Sequence, residues 1–438
     1  MPSLTPAMWQ FFSEARVRQV SVFWCALIIG GVFAATWVRV LPSIGIAGLF
    51  LTSVGYALGQ RRVAQWAQWP SLLCFGLVYL VHLGTGLLRT ALTDAALWQD
   101  LLLESPFLLL PGAFLLLPAW QPRHLRFLWL LLLGCCLAAA AGSTVYYLRH
   151  QQVIEQLYLQ SQVMPTVPDH IRFSLLVSMA VLAGLVLLTA SPLPRLLRRL
   201  VLAGVVLLFL YQHLLAVRSG LVTLYGAGAL WLAWLGGHYG RWRLMLQSTL
   251  VALALGGGCL LLFPTLQNKI VNTRTDTAQL DTVESANNYS VTARYYSYQV
   301  ADAVIREHPL LGVSKVKLDQ AMADQYSYMY PQISRDHYLL PHNQFIFNLA
   351  AYGVLGLLVS LLGFYYPLRQ AFRTRNALLV LIYAIVTASF LVEYTLETQI
   401  GVVTGLFFLL LAGAPTLAEV PAPQPGPYQP GVRPAAVA

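Results

Sequence analysis

The chain is poor in charge. Of its 438 residues only 10% are Asp, Glu, Lys or Arg, while 58% are hydrophobic. Soluble domains carry about 25% charged residues, so an ordinary water-exposed surface is excluded. Lysine is scarcest: Lys269, Lys315 and Lys317 are all there are. The five cysteines (Cys25, Cys74, Cys135, Cys136 and Cys259) lie in apolar runs without metal-ligand spacing or a disulfide framework, and read as small packing residues. There is no P-loop, no GxGxxG, and no outward-facing DxD-type cluster for metal-bound phosphate. The net charge of +10 would suit nucleic acid in a soluble protein. Here the cations fall mainly in short links between apolar segments, where membrane orientation accounts for them, so no nucleic-acid partner is expected. Arg16 and Arg18 precede a long apolar run without a cleavage site, so the first segment reads as an anchor.

What the chain has is apolar stretches, each near the roughly 20 residues that carry a helix across a bilayer. Backbone groups cannot stay unpaired in lipid, so the stretches must be helical. Twelve segments are expected, at about 20–38, 41–59, 69–88, 97–119, 125–147, 171–190, 198–216, 219–237, 244–263, 342–363, 376–393 and 399–415. The fourth holds Asp100, Glu104, Pro106 and Pro111 and is the weakest of them. With a cytoplasmic N-terminus, the inner links carry Arg61 and Arg62, Arg123 and Arg126, Arg195, Arg198 and Arg199, Arg241 and Arg243, and Arg369, Arg373 and Arg375. The opposite short links carry Arg39, Arg89, Arg149 and Arg218. This asymmetry puts both termini in the cytoplasm. The expected fold is an all-α polytopic membrane protein: nine helices in 1–263, a large, partly helical outer loop at 264–341, three helices in 342–417, and a proline-rich disordered tail at 418–438.

A loop this long is usually functional or disordered. Its aromatic clusters, YYSY at 295–298 and YSYMY at 326–330, argue that it folds. Ser290 is placed to cap a helix running to about Glu307, with Val291, Tyr295, Tyr298 and Ile305 on one face and Pro309 ending it. The loop's seven basic residues face eight acidic ones, so any anion site must come from local placement.

Three residues stand out. In PHNQFIFNLAAYGVLGLL at 341–358, Pro341 suits a first helical turn. His342 then sits at the outer end of the tenth segment, while Gly353 and Gly356 permit close approach of another helix. A histidine there is a candidate general base, or an interfacial tether for the loop. Arg218 occupies the very short outer turn after segment seven, where cations are scarce. Its fork fits phosphate oxygens, though snorkelling to the interface would also place it there. Arg294 falls in the first turn of the loop helix, where the helix dipole disfavours a cation, so local stability does not explain it.

Glu393 and Glu397, a helical turn apart, are candidates to orient an arginine or histidine, or to hold a sugar hydroxyl; pairing with Arg218 is the plainer alternative. Arg335 and His337, just before His342, are candidates for the same cavity. With no third ligand near the two histidines, no zinc site and no cofactor are expected. His82 and His213, in apolar segments, read as core histidines; Asp100 and Glu104 are the features that favour a transporter, with packing stabilisation as the alternative.

The HN pair at 342–343 heading a glycine-bearing helix, RSG after segment seven, and the SxxxR…HPLLGV run at 290–313 resemble the O-antigen ligase and polymerase superfamily, most of all its ligases. Span number, loop placement and cytoplasmic termini resemble it too. One departure is Ser314, where members often have glycine. The resemblance implies a metal-independent, inverting glycosyltransferase of the C type in the bacterial inner membrane. It implies that Arg218, Arg294 and His342 are the functional residues, the two arginines binding the donor diphosphate on the periplasmic side. The implied donor is an undecaprenyl-diphosphate-linked glycan, the acceptor lipid A–core oligosaccharide, the surroundings a lipid bilayer, and the working form a monomer. An O-antigen polymerase and a protein O-oligosaccharyltransferase share that donor and stay open. A transporter would predict inverted repeats and midplane charges, and no convincing repeat is seen.

Overall fold

The computed structural model describes residues 13–60 and 69–414; the pair Arg61 and Arg62 and the tail lie outside them. The protein is an all-α, multi-pass membrane protein. Among the described residues there is no β-sheet, and ten helices are long and apolar enough to cross a membrane. In chain order the helices are α1 (Glu14–Ala34), α2 (Leu41–Gln60), α3 (Gly76–Arg89), the pair α4 (Ala95–Glu104) and α5 (Pro106–Leu116), and α6 (Pro122–Arg149). The short α7 (Gln151–Leu159) leads into α8 (His170–Ala190), α9 (Arg195–Leu215), α10 (Arg218–Gly237) and α11 (Trp242–Leu262). The loop holds α12 (Pro264–Thr277), α13 (Ser290–Glu307) and α14 (Lys315–Met329), and the chain returns through α15 (Gln344–Tyr365) and α16 (Ala377–Phe390). The expected eleventh and twelfth segments are α16 and the stretch Gln399–Gly413, both apolar but shorter than the ten.

Sequence explains the breaks. Segment four divides at Ser105 because Pro106 lacks an amide hydrogen and opens a fresh helix. Asp94 caps α4 by accepting from the Ala96 amide at 2.9 Å. Asp100 and Glu104 are one turn apart on α4 and therefore share a face, and both are buried. Among the ten spans the one of highest hydropathy, α8, has 67% of its span buried, against 11% for α11. A helix that is apolar all round belongs at the centre, and α8 packs against α6, α9, α10 and α16. Exposed leucines on α11 (Leu250, Leu253, Leu261, Leu262) present an apolar surface for lipid to cover.

The loop has its own small core, and that core includes the bundle. Ala293, Tyr296, Val300 and Val304 of α13 and Leu318, Met322 and Tyr326 of α14 pack on Phe347, Ala350 and Ala351 of α15. Beneath them α15 is broken at Gly353, whose φ of 66° and ψ of −174° are not helical. The turn at 309–314 fills the break. Val354 and Leu355 amides donate to the Pro309 and Leu310 carbonyls at 2.9 and 3.3 Å. Val313 and Ser314 amides donate to the Ala350 and Ala351 carbonyls at 3.2 and 2.7 Å. A side chain on Gly353 would meet the Leu310 carbonyl carbon at 2.3 Å, and one on Gly312 the Ala351 carbonyl carbon at 2.4 Å. The close approach expected at Gly353 is thus made by a loop turn rather than a helix. Gly356 does face a helix, with Val81 of α3 3.1 Å from where its Cβ would lie. Ser314, the departure from the glycine pattern, sits at φ 75° and ψ 146°, a conformation nearly reserved for glycine.

Candidate active site at the loop end of the bundle

The turn between α9 and α10 is tight because Ala216 takes a left-handed conformation, φ 49°. Arg218 then opens α10 with its side chain directed toward the loop. One guanidinium nitrogen donates to Thr273 Oγ1 of α12 at 3.3 Å, another to Ser290 Oγ of α13 at 2.8 Å. Ser290 therefore does not cap α13. Asp276 does, accepting from the Val291 and Thr292 amides at 2.8 and 3.0 Å. A carboxylate at that end satisfies otherwise unpaired amides and suits the dipole. The face carrying Val291, Tyr295 and Tyr298 turns to a cavity, while Thr292, Ala293, Tyr296 and Val300 make the buried face.

That cavity measures about 490 Å³ and is lined by Arg218, Lys269, Arg294, His170, Tyr298 and Val392, among others. No carboxylate is among its lining residues. Burial, then the charges of Arg218 and Arg294, hold the Lys269 ammonium down to about 8. Tyr298 is raised by burial, against the opposing pull of Arg294.

His342 stands at the edge of this space. It is not a lining residue, but Tyr298, which is, donates through its hydroxyl to the His342 carbonyl at 2.9 Å. Pro341 and His342 precede α15 rather than forming its first turn. Asn343 is the cap, its side chain accepting from the Phe345 and Ile346 amides at 2.9 and 3.1 Å. Nδ1 of His342 lies 3.1 Å from Glu393 Oε2, and its ring packs against Tyr394. A carboxylate on Nδ1 fixes the tautomer that leaves Nε2 as a proton acceptor. Burial alone would raise Glu393; the hydrogen bond and charge of His342, with Arg172 and Arg294, hold it below the usual carboxylate value.

Glu397 goes elsewhere. Because α16 ends at Phe390, the two glutamates are not on one helical turn, and neither meets Arg218. Glu397 Oε2 lies 2.8 Å from Lys315 Nζ, which also touches Asp100 Oδ1 at 2.7 Å and Glu104 Oε1 at 3.1 Å. Burial would lower Lys315, but Glu397, Glu104 and Asp100 outweigh it and hold the ammonium well above its ordinary value. His82 joins through Asp100 at 3.1 Å and through the Tyr352 hydroxyl. Glu397 also accepts from Gln344, the first residue of α15, at 2.7 Å. His82, Asp100 and Glu104 have metal-ligand spacing, but two of them already hold the Lys315 ammonium.

Of the sequence candidates, the structure brings Arg218 and Arg294 to one cavity and His342 with Glu393 to its edge. Arg335 and His337 are exposed on the loop, His337 bonded to Ser334 Oγ at 2.6 Å, and neither lines the cavity. Sequence reasoning did not single out Lys269, Asp276 or Tyr298 as site residues. The one available signal was that lysine occurs only in the loop.

Residues 203–361 match the family model described as O-antigen ligase. The matched stretch contains Arg218, the whole loop, His342 and Gly353, and ends before Glu393. That match, over about a third of the chain, supports membership of the O-antigen ligase and polymerase superfamily, whose members are glycosyltransferase-like enzymes. No curated protein matches the chain.

Proposed function

We propose that the protein is an O-antigen ligase, moving a glycan from undecaprenyl diphosphate to lipid A–core oligosaccharide at the periplasmic face of the inner membrane. One observation carries the donor half of this reading: a cavity at the loop end holds Arg218, Lys269 and Arg294 with no carboxylate among its lining residues. Such a cavity suits a diphosphate, and guanidinium forks suit its oxygens. His342, held by Glu393, supplies the base. An acceptor sugar hydroxyl gives its proton to Nε2 of His342 as its oxygen bonds to the anomeric carbon. The bond from that carbon to the diphosphate breaks, the electron pair staying on the phosphate oxygen. Arg218 and Arg294 stabilise the charge that grows there. Attack from the face opposite the leaving group inverts the anomeric centre.

The acceptor distinguishes ligase from polymerase and from protein glycosylation. Incubating the purified protein with lipid-linked glycan and rough lipopolysaccharide should give a ladder on lipid A–core. A lengthened lipid-linked chain would make it a polymerase, glycan on an added serine- and threonine-bearing protein a protein glycosyltransferase, and no product with any of the three acceptors would sink glycosyl transfer. His342→Ala should lower transfer about 100- to 10,000-fold, the usual loss with a positioned base; near-normal transfer would remove the base assignment.

A further inference from the structure

We propose that Lys269 is a third cation of the donor site, neutralising the phosphate oxygen on which charge appears as the glycosidic bond breaks; the inference rests on the donor reading above. Lys269 and Thr273 are one turn apart on α12 and share a face. The Thr273 hydroxyl donates to the Lys269 carbonyl at 2.7 Å and accepts from Arg218 at 3.3 Å, so one threonine ties the lysine's turn to the arginine. The Lys269 side chain is 6% exposed and lines the cavity.

Its surroundings give the ammonium no counter-charge of its own. Arg218 faces it from α10, Arg294 from α13 and His170 from α8. The acid acting on it is Asp276 of its own helix, whose carboxylate is occupied by the α13 amides and the Thr292 hydroxyl. On α7, Glu155 accepts from Tyr147 and Gln151, and Tyr158 donates to the Leu215 carbonyl. On α9, His213 is bonded to Tyr225. Burying a cation beside two others is costly unless an anion completes the group.

The charge count points to a particular stage of the reaction. With the glycan attached, each phosphate of the donor carries one ionised oxygen, a match for Arg218 and Arg294. When the anomeric carbon–oxygen bond breaks, its electron pair stays on the terminal phosphate and creates a further anionic oxygen. A third cation therefore has more to bind in the transition state and product than in the donor, which is the condition for raising turnover rather than affinity.

The test uses the full-length protein, with Lys269→Met and Lys269→Arg. Lys269→Met should lower kcat about 100- to 1,000-fold, as losing a donor to a developing anion does, with KM changed only a few-fold. In the wild type, kcat/KM should fall as pH rises through about 8, where free Lys269 loses its proton. Lys269→Arg should keep much of the activity and lose that alkaline limb, because a guanidinium does not titrate there. Inorganic diphosphate, read by thermal shift without any transfer reaction, should stabilise wild type and Lys269→Arg more than Lys269→Met. Equal stabilisation of all three, or a Lys269→Arg enzyme that keeps the limb beside a fully active Lys269→Met, overturns the proposal and leaves the donor reading standing. A wild type that transfers nothing but binds diphosphate through Lys269 overturns the donor reading instead. Should Lys269→Met fail to fold, the pH limb in Lys269→Arg still decides.

Discussion

Two lysines of the same loop, Lys269 buried and Lys315 partly buried, meet opposite surroundings. Lys315 has three carboxylates on its ammonium, from α4 and from the segment after α16. Lys269 has two arginines near it and a cavity in front. The first lysine is answered within the chain, so its cluster joins loop to bundle. The second has only Asp276, whose carboxylate is taken up by the α13 amides, so its region suits an anion that arrives. Residue type is the same and both side chains are largely withdrawn from solvent; the counter-charge separates architecture from function.

The widest separation should come from removing each charge. Lys315→Met would leave Asp100, Glu104 and Glu397 facing one another, and should cost about 3–5 kcal/mol, as breaking a buried ion pair from one side does. Lys269→Met removes an unanswered charge and should leave thermal unfolding in detergent unchanged or raised. Equal losses in both would erase the distinction. Alkaline pH is the next lever. Lys269 in the folded protein sits below its ordinary 10.5, at about 8. Its protonation therefore opposes folding below about 8, and that cost is relieved as pH rises from there toward 10.5. Without anion, the wild type should gain on the order of 3 kcal/mol across that interval relative to Lys269→Met. Lys315, shifted upward, keeps its charge there and adds no such slope.

Glu393 lies between the two cases, an acid that meets a histidine rather than a lysine. Glu393→Gln keeps the shape and removes the charge that orients His342; transfer should fall about 10- to 100-fold, less than the roughly 100- to 10,000-fold that the base itself supplies, with folding intact. Unchanged transfer would make that contact structural, like those of Lys315. The smallest effect is expected beside Lys315. Ser314→Gly relieves a backbone conformation that glycine adopts freely and should stabilise by about 1 kcal/mol. No gain would mean that the carboxylate grip on Lys315 was not holding a strained neighbour.

How far these regions were legible follows from distance along the chain. The helices and the span of α13 come from local pattern, and sequence placed them; segment four was expected as one weak span, and its division at Ser105 emerged with the structure. Arg218, Arg294 and His342 stood out because each is a polar residue where its own segment gives it no reason to be. Lys269 vanished into a loop whose charges nearly cancel, since a sum over 264–341 cannot show that its acids point elsewhere. The Asp276 cap was hidden because it lies fifteen residues before the amide it accepts from. Glu393 and Glu397 looked like neighbours on a helix, but the helix stops at Phe390 and they part. Arg335 and His337 were candidates only by nearness to His342, and a turn of exposed backbone carries them away from the cavity.

The interlock at Gly353 bears on how the chain assembles. Ten residues into α15, roughly 15 Å along its axis, the helix interrupts its own hydrogen-bond ladder, and the missing partners lie in the turn at 309–314. Lipid offers none, and an unpaired backbone group there costs several kcal/mol. Alone, α15 is an incomplete span. It becomes a stable one when the loop, which precedes it in the chain, seats its turn against Gly353. The same event brings the Lys315 end of the loop down on the bundle, so α15 and the loop complete each other.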